Sequence, residues 1–372
     1  MNPRTMDAAE ALQALQSFSA VIDVRSPSEF ALDHMPGAQN WPVLDDAQRA
    51  EVGTLYTQID PFVANKRGAA LIARNIANHI EAHADALPKS WTPLVYCWRG
   101  GNRSGAMAHI LARVGFSVVL VQGGYRALRR ALRADLEQLP GRLQFHVLCG
   151  RTGSGKSRLL RALQVAGAQV LDLEALAQHR GSVLGLEPGD EQPSQKLFES
   201  HLWAELHGFD PQRPVFVEAE SKKIGLLHVP EALMEQMRIG RCVSLELDPA
   251  LRVEFLLQDY AALSADRALL EQRLDSLRAL RGADVVKHWK DLVAQGNLRA
   301  FTADILAQHY DPSYARSMVN NYRQFESAPR IELGGIDEGA FAHAAAQMLR
   351  ISNAPARAGL HSTQAQAEAG SC

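Results

Sequence analysis

The sequence predicts an α/β protein built as two parallel-sheet units in series, with a helical part at the C-terminal end. Three observations carry that reading. A short apolar strand, Thr92 to Tyr96, runs into Cys97 and a Gly-rich loop, and Ser104 to Val114 then shows helical spacing of apolar residues. A second strand, Leu143 to Cys149, runs into Gly150-Arg151-Thr152-Gly153-Ser154-Gly155-Lys156-Ser157 and another helix. From Pro249 to about Met348 helical periodicity dominates, with turns at Arg281-Gly282, Gln295-Gly296 and Tyr310-Asp311-Pro312.

Size and charge set bounds. A chain of 372 residues suits two or three domains, and 47% hydrophobic residues suffice for sizeable cores. The net charge of -2 gives no global basic field, so a nucleic-acid partner must be held by local patches. The cysteines are Cys97, Cys149, Cys242 and Cys372, without C-x-x-C pairs or metal-ligand spacing. That points to a reducing compartment and no structural zinc. No apolar stretch reaches the roughly 18 residues of a membrane span, and there is no signal core. The expectation is a cytoplasmic protein with no membrane partner.

Taken in order, Ala8 to Ser17 reads as a short helix and Ser19 to Val24 as a strand. Asp23 and Arg25, at that strand's end, fix the loop facing the cysteine, and Glu29 and His34 read as structural. Ala47 to Ile80 has the look of a partly helical insertion. A strand then ends at Cys97. The loop after it, Trp98-Arg99-Gly100-Gly101-Asn102-Arg103-Ser104, leads into a helix N-terminus. Backbone N–H groups and the positive end of the helix dipole converge there. With Arg99 and Arg103 beside it, a thiol at Cys97 loses its proton easily, and the same cradle takes an oxyanion. The alternative is a buried structural cysteine next to a turn.

DVRSPSEF and HMPGAQNWP, with YCWRGGNRS, resemble the signature and active-site loop of rhodanese domains. Five residues separate Cys97 from Arg103, a spacing that resembles cysteine phosphatases and the related arsenate reductases. A ring that wide accommodates a tetrahedral oxyanion. Tyr96 stands where phosphatases commonly place His.

Ser117 to Val121 reads as a strand, and Gln122-Gly123-Gly124-Tyr125 turns into a helix carrying Arg126, Arg129, Arg130 and Arg133. Those arginines form either a solvated face or an RNA contact. Leu139-Pro140-Gly141 ends the helix, which sets the expected domains at 1–140, 141–350 and a disordered tail at 351–372. In the second domain G-x4-G-K-S is a Walker A pattern, so this is a P-loop NTPase-like unit. Its glycines let N–H groups close around phosphates, Lys156 neutralises charge, and Ser157 is placed to hold Mg2+. Ala168 to Glu174 reads as a strand ending in acids, and Gln195 to His207 as a helix. Pro214 to Gly225 is a strand ending in Glu218, Glu220, Lys222 and Lys223. Either acid can act as a Walker B-type group, or cap a helix or pair with one of those lysines. Arg241 to Leu247 reads as another strand. Arg267, Arg273, Arg278 and Arg281 add local charge that Asp266, Glu271 and Asp275 can balance.

A rhodanese-like unit joined directly to a P-loop unit, with YCWRGGNRS, GRTGSGKS, LDLEALAQHRGSVLG and FVEAESKKIG, resembles the tRNA 2-selenouridine synthase family from about Ala8 to Arg350. The resemblance implies an enzyme acting on wobble 2-thiouridine in tRNA. It implies S-geranylation from geranyl diphosphate, then replacement of the S-geranyl group by selenium from selenophosphate; the residues suit departure of diphosphate at the P-loop and handling of selenium at Cys97. It implies no tightly bound cofactor, Mg2+ being the one candidate ion. Trp98 is placed to stack on the splayed base. Three other readings use the same motifs: an ATP-dependent tRNA sulfurtransferase, a cysteine phosphatase, and a non-enzymatic RNA- or nucleotide-binding regulator.

Overall fold

The computed structural model describes residues 2–181, 191–261, 266–322 and 324–353. Two five-stranded, all-parallel sheets form the frame. The first contains β1 (Arg4–Met6), β2 (Ala20–Asp23), β3 (Ala38–Asn40), β4 (Pro93–Tyr96) and β5 (Val119–Val121), in the order β1-β5-β4-β2-β3. Side chains alternate across its strands, as a sheet covered on both faces requires. Val21, Leu94 and Tyr96 face helices α1 (Ala8–Gln13) and α6 (Gly124–Gln138). Ile22, Val95 and Cys97 share the opposite layer with Ile76 of α4 (Pro61–His83) and Met107 and Leu111 of α5 (Asn102–Val114).

The inserted stretch is a helical hairpin of α3 (Asp46–Gln58) and α4. Each of its helices starts on an aspartate cap. Asp45 and Gln48 form a capping box, and Asp60 accepts from the N–H groups of Phe62 and Val63 after a turn that puts Pro61 first in the helix. Helix α2 (Pro27–Leu32) uses the same device, with Ser26 and Glu29.

The second sheet has the order β12-β11-β6-β8-β7, from β6 (Gln144–Cys149), β7 (Gln169–Leu171), β8 (Pro214–Glu218), β11 (Arg241–Glu246) and β12 (Arg330–Glu332). Lys223–Ile224 and Leu227–His228 pair as β9 and β10, a small antiparallel ribbon. Leu148, Phe216, Val243 and Leu245 pack on α7 (Lys156–Val165) and the helix Glu338–Asn353. The other face carries α9 (Gln195–Gly208) and α10 (Glu231–Ile239). Helix α6 lies between the sheets, so one continuous apolar core joins α1, α6, α9, α10 and β6. Helices from α11 (Pro249–Asp259) onward form the helical part, with a core around Trp289.

Three sequence expectations change. The strand ending in acids is only Gln169–Leu171; Asp172 accepts from Ala175 N–H and caps α8 (Leu173–Ala177), which places Glu174 on a helix. The helical C-terminal run is broken by β12, which pairs with β11. The helix at 338 extends to Asn353, into the stretch expected to be tail; 354–372 with Cys372, and Ser182 to Gly185 of LDLEALAQHRGSVLG, lie outside the described residues. Among the described residues no helix is long and apolar enough to cross a membrane.

Candidate active site

Cys97 lies at the C-terminal end of β4 and is 3% exposed. Ser104, fully buried in the first turn of α5, donates its hydroxyl to Cys97 Sγ at 3.1 Å. Burial pushes the thiol up. The hydroxyl and N–H of Ser104, the N–H of Arg99 and the charge of Arg103 outweigh it, leaving the thiol below its ordinary range. The loop is clamped from behind. Tyr125 and Arg126, at the start of α6, donate their N–H groups to the carbonyls of Cys97 (2.7 Å) and Trp98 (3.2 Å). Gly124 lies so close that a Cβ there would stand 2.3 Å from Cys97 O and 2.4 Å from Gly100 N. Gly124 after β5 is therefore a packing requirement of the cysteine loop.

An open depression of about 440 Å³ lies over Cys97, lined by Trp98, Arg99, Gly101, Asn102, Arg103 and Arg49 of α3. Arg99 and Arg49 are exposed. Arg103 is anchored instead, with Nη1 2.7 Å from Glu29 Oε2; burial would raise that carboxyl, but the bonds to Arg103 hold it below the usual range. One face of Trp98 is taken by Tyr125, stacked at 5.3 Å. Asp23 and Arg25 are buried and bonded to each other, and Arg25 lies 3.9 Å over the Tyr125 ring, so they brace the loop from below. His34 bonds to Phe30 O and stacks on its ring, away from Cys97 chemistry. Beside the depression, and sharing Arg49, Asn102 and Arg103 with it, an apolar groove of about 790 Å³ runs between α3, α4 and α5.

The phosphate loop closes tightly. Gly153 and Gly155 have φ of +80° and +84°, and a Cβ on them would stand 2.9 Å from Leu256 and 2.7 Å from Phe341. Gly150 packs against Leu245 O and Ser154 in the same way. Arg252 of α11, 4% exposed, donates to Thr152 O at 2.8 Å and pairs with Asp311 at 2.7 Å, fixing the loop to the helical part. Arg151 is exposed on the same side. Lys156 and Ser157 open α7, and Ser157 donates to Glu174 at 3.2 Å. Glu174, Glu218 and Glu220 bring carboxylate oxygens within 4.8 Å of one another. Burial, then mutual repulsion, pushes Glu174 up to about 9 and Glu220 up to about 7; burial also raises Glu218. Three such carboxylates next to a serine hydroxyl form a hard oxygen set that fits Mg2+. Neither acid pairs with Lys222, which is bound to Glu231. The pocket here, about 340 Å³, also collects Arg158, Arg161 and Arg180.

Sequence reasoning missed Arg49, Glu174 and Arg252, which reach these centres from other elements. Of the α6 arginines, Arg129 turns inward to Ser200 and Glu199 of α9, while Arg126, Arg130 and Arg133 stay exposed.

Residues 143–281 match the family model described as the tRNA 2-selenouridine synthase AAA domain, and 7–131 match the rhodanese-like domain. The tRNA 2-selenouridine synthase of Alcanivorax borkumensis is 33% identical over 340 residues, covering 83% of this chain and 92% of that relative. That of Shewanella denitrificans is 33% identical, covering 79% and 87%. The chain belongs to the tRNA 2-selenouridine synthase family. Another member, from Nitrosomonas europaea, is 35% identical over 64% of this chain and 63% of its own length. Both family models fall on the elements that build the two centres. In this tRNA 2-selenouridine synthase family member the Cys97 loop lies in the first match and the P-loop in the second.

Proposed function

We propose that this protein converts wobble 2-thiouridine in tRNA to 2-selenouridine in two steps at two centres. In the first, the thiocarbonyl sulfur attacks C1 of geranyl diphosphate on the P-loop. The C1–O bond breaks, diphosphate leaves with the electron pair, and the base gives up its N3 proton to solvent. Lys156 and the loop N–H groups take the developing charge. Mg2+ held by Ser157 and the acid cluster neutralises more of it when bound.

In the second step a selenium nucleophile derived from selenophosphate adds to C2, and the C2–S pair departs with geranyl thiolate, which takes up a proton. Alkylation turns a poor leaving group into a good one. The groove beside Cys97 gives the alkyl chain a surface to lie on. The exposed Arg126, Arg130 and Arg133, on the helix that starts beneath the Cys97 loop, suit RNA phosphates.

One observation carries the choice of donor. A small apolar crevice, about 50 Å³, opens onto the phosphate pocket and shares Thr152, Leu256, Tyr260 and Tyr310 with it. Its walls are Leu270, Phe301, Ile305 and Leu306. At about 50 Å³ the crevice takes only the first carbons of a chain attached to a diphosphate, and it offers no room to a purine. The test is mass spectrometry of the wobble nucleoside after incubation with geranyl diphosphate and no ATP. A gain of one geranyl group supports the reading. No change, but thiolation of unmodified tRNA with ATP and a sulfur donor, would replace it with a sulfurtransferase.

A further inference from the structure

The Cys97 loop has more donors than transfer of a lone chalcogen atom uses. Sγ already receives the Ser104 hydroxyl and the N–H groups of Ser104 and Arg99. Among the described residues, no backbone acceptor takes the N–H groups of Gly100, Gly101, Asn102 or Arg103. Gly100, at φ +68°, turns the chain and Gly124 holds that turn from below, while Gly101, Asn102 and Arg103 line the depression over Sγ. Arg49, Arg99 and Arg103 add positive charge at the rim. N–H groups without a backbone acceptor at a helix N-terminus, in a depression that also holds Cys97, suit the oxygens of a tetrahedral oxyanion.

We propose that Cys97 attacks phosphorus, not selenium, in selenophosphate. The Sγ–P bond forms, the P–Se bond breaks, and hydrogenselenide leaves with the electron pair, ready to add to C2 of the S-alkylated base. Water then cleaves the S–P bond, giving phosphate and restoring the thiolate, which Ser104 stabilises as it departs.

Two considerations favour this course. Passing selenium to Cys97 as a perselenide would leave the electron pair on phosphorus and release phosphite, unless an oxidant intervened. Attack on phosphorus needs only water. Among the described residues no carboxyl or imidazole group lines the depression, so none of them protonates a poor leaving group there. Glu29, the near acid, is bound to Arg103. Selenium leaves as hydrogenselenide, carrying the proton that selenophosphate brings with it, and needs no acid from the protein; an alkoxide does.

The inference rests on the reading that selenophosphate is the donor, and the experiment separates the two. Anaerobic protein is mixed with selenophosphate without tRNA, quenched in denaturant at mildly alkaline pH, and the Cys97 peptide is analysed by mass spectrometry. A parallel sample receives S-geranylated tRNA and is scored for selenouridine. The expected result is a phosphoryl group on Cys97 without the isotope pattern of selenium, and phosphate as the only phosphorus product by NMR. Thiophosphate should give the same adduct and an alkyl phosphate should not. In Ser104→Ala the adduct should accumulate several-fold. Selenium on Cys97, phosphite in solution, or selenouridine formed while Cys97 stays unmodified in both proteins would overturn the inference while leaving the donor intact. No selenouridine in the parallel sample would remove the donor reading and this inference with it.

Discussion

Replacing Ser104 with alanine removes the side-chain hydroxyl that donates to Cys97 Sγ, at 3.1 Å. A hydrogen bond to a charged acceptor is worth about 1.5–3 kcal/mol. Because the bond favours thiolate over thiol, its loss raises the Cys97 pKa. At a pH below the titration, where the thiolate fraction follows that energy, alkylation should fall about ten- to hundred-fold. The assay is the rate of Cys97 alkylation by iodoacetamide against pH, with the Cys97→Ala protein subtracting the other cysteines. That subtraction removes the contribution of Cys149, Cys242 and Cys372 alike. Ser104→Thr keeps the hydroxyl and should keep the lower value. An alanine variant whose titration coincides with the parent would refute the reasoning. The thiolate would then be held by the Ser104 and Arg99 N–H groups and Arg103 alone.

Three further outcomes are expected. Gly124→Ala should abolish Cys97 alkylation selectivity and destabilise the fold by more than about 1 kcal/mol, because the left-handed backbone and the contact with Cys97 O both forbid a Cβ; an unchanged urea midpoint would contradict this. Arg129→Ala leaves Asp33 and Glu199 without their cation, and should cost about 3–5 kcal/mol while keeping a single unfolding transition, since α6 belongs to a core common to both sheets. The acid cluster sets a pH dependence. Glu174 and Glu220 have folded values raised above the ordinary 4.5, so the folded protein binds protons that the unfolded chain releases. Without metal, stability should therefore fall as pH rises from about 4.5 towards about 9. Mg2+ should raise the melting temperature more above about pH 7 than near pH 5, and Glu174→Gln should flatten both trends.

Both centres were legible where chemistry is local in sequence. Cys97 to Ser104 and Gly150 to Ser157 each sit on one strand–loop–helix turn, so spacing alone placed thiol, phosphate loop and helix N-termini together. What escaped were contributions from elsewhere in the chain. Arg49 reaches the cysteine from an inserted hairpin, and Arg252 holds Thr152 from a helix 100 residues away. Glu174 joins Glu218 and Glu220 because β7 ends early and Asp172 starts a helix. Edge strands β1 and β12, three residues each, are too short to show a period of two and depend on pairing with β5 and β11. The arginines on α6 look equivalent in sequence. Only the position of α9 separates Arg129, drawn in by Ser200 and Glu199, from the exposed three.

The division of labour between the two loops is the central claim, and one measurement tests it directly. Lys156→Ala and Cys97→Ala proteins are each given geranyl diphosphate and selenophosphate, with either 2-thiouridine tRNA or tRNA already S-geranylated, and the wobble nucleoside is weighed. The account predicts that Lys156→Ala leaves 2-thiouridine untouched but selenates the S-geranylated tRNA. Cys97→Ala should geranylate and stop there. If either substitution blocks both steps while the protein stays folded, or if both steps survive both substitutions, the two-centre account is wrong.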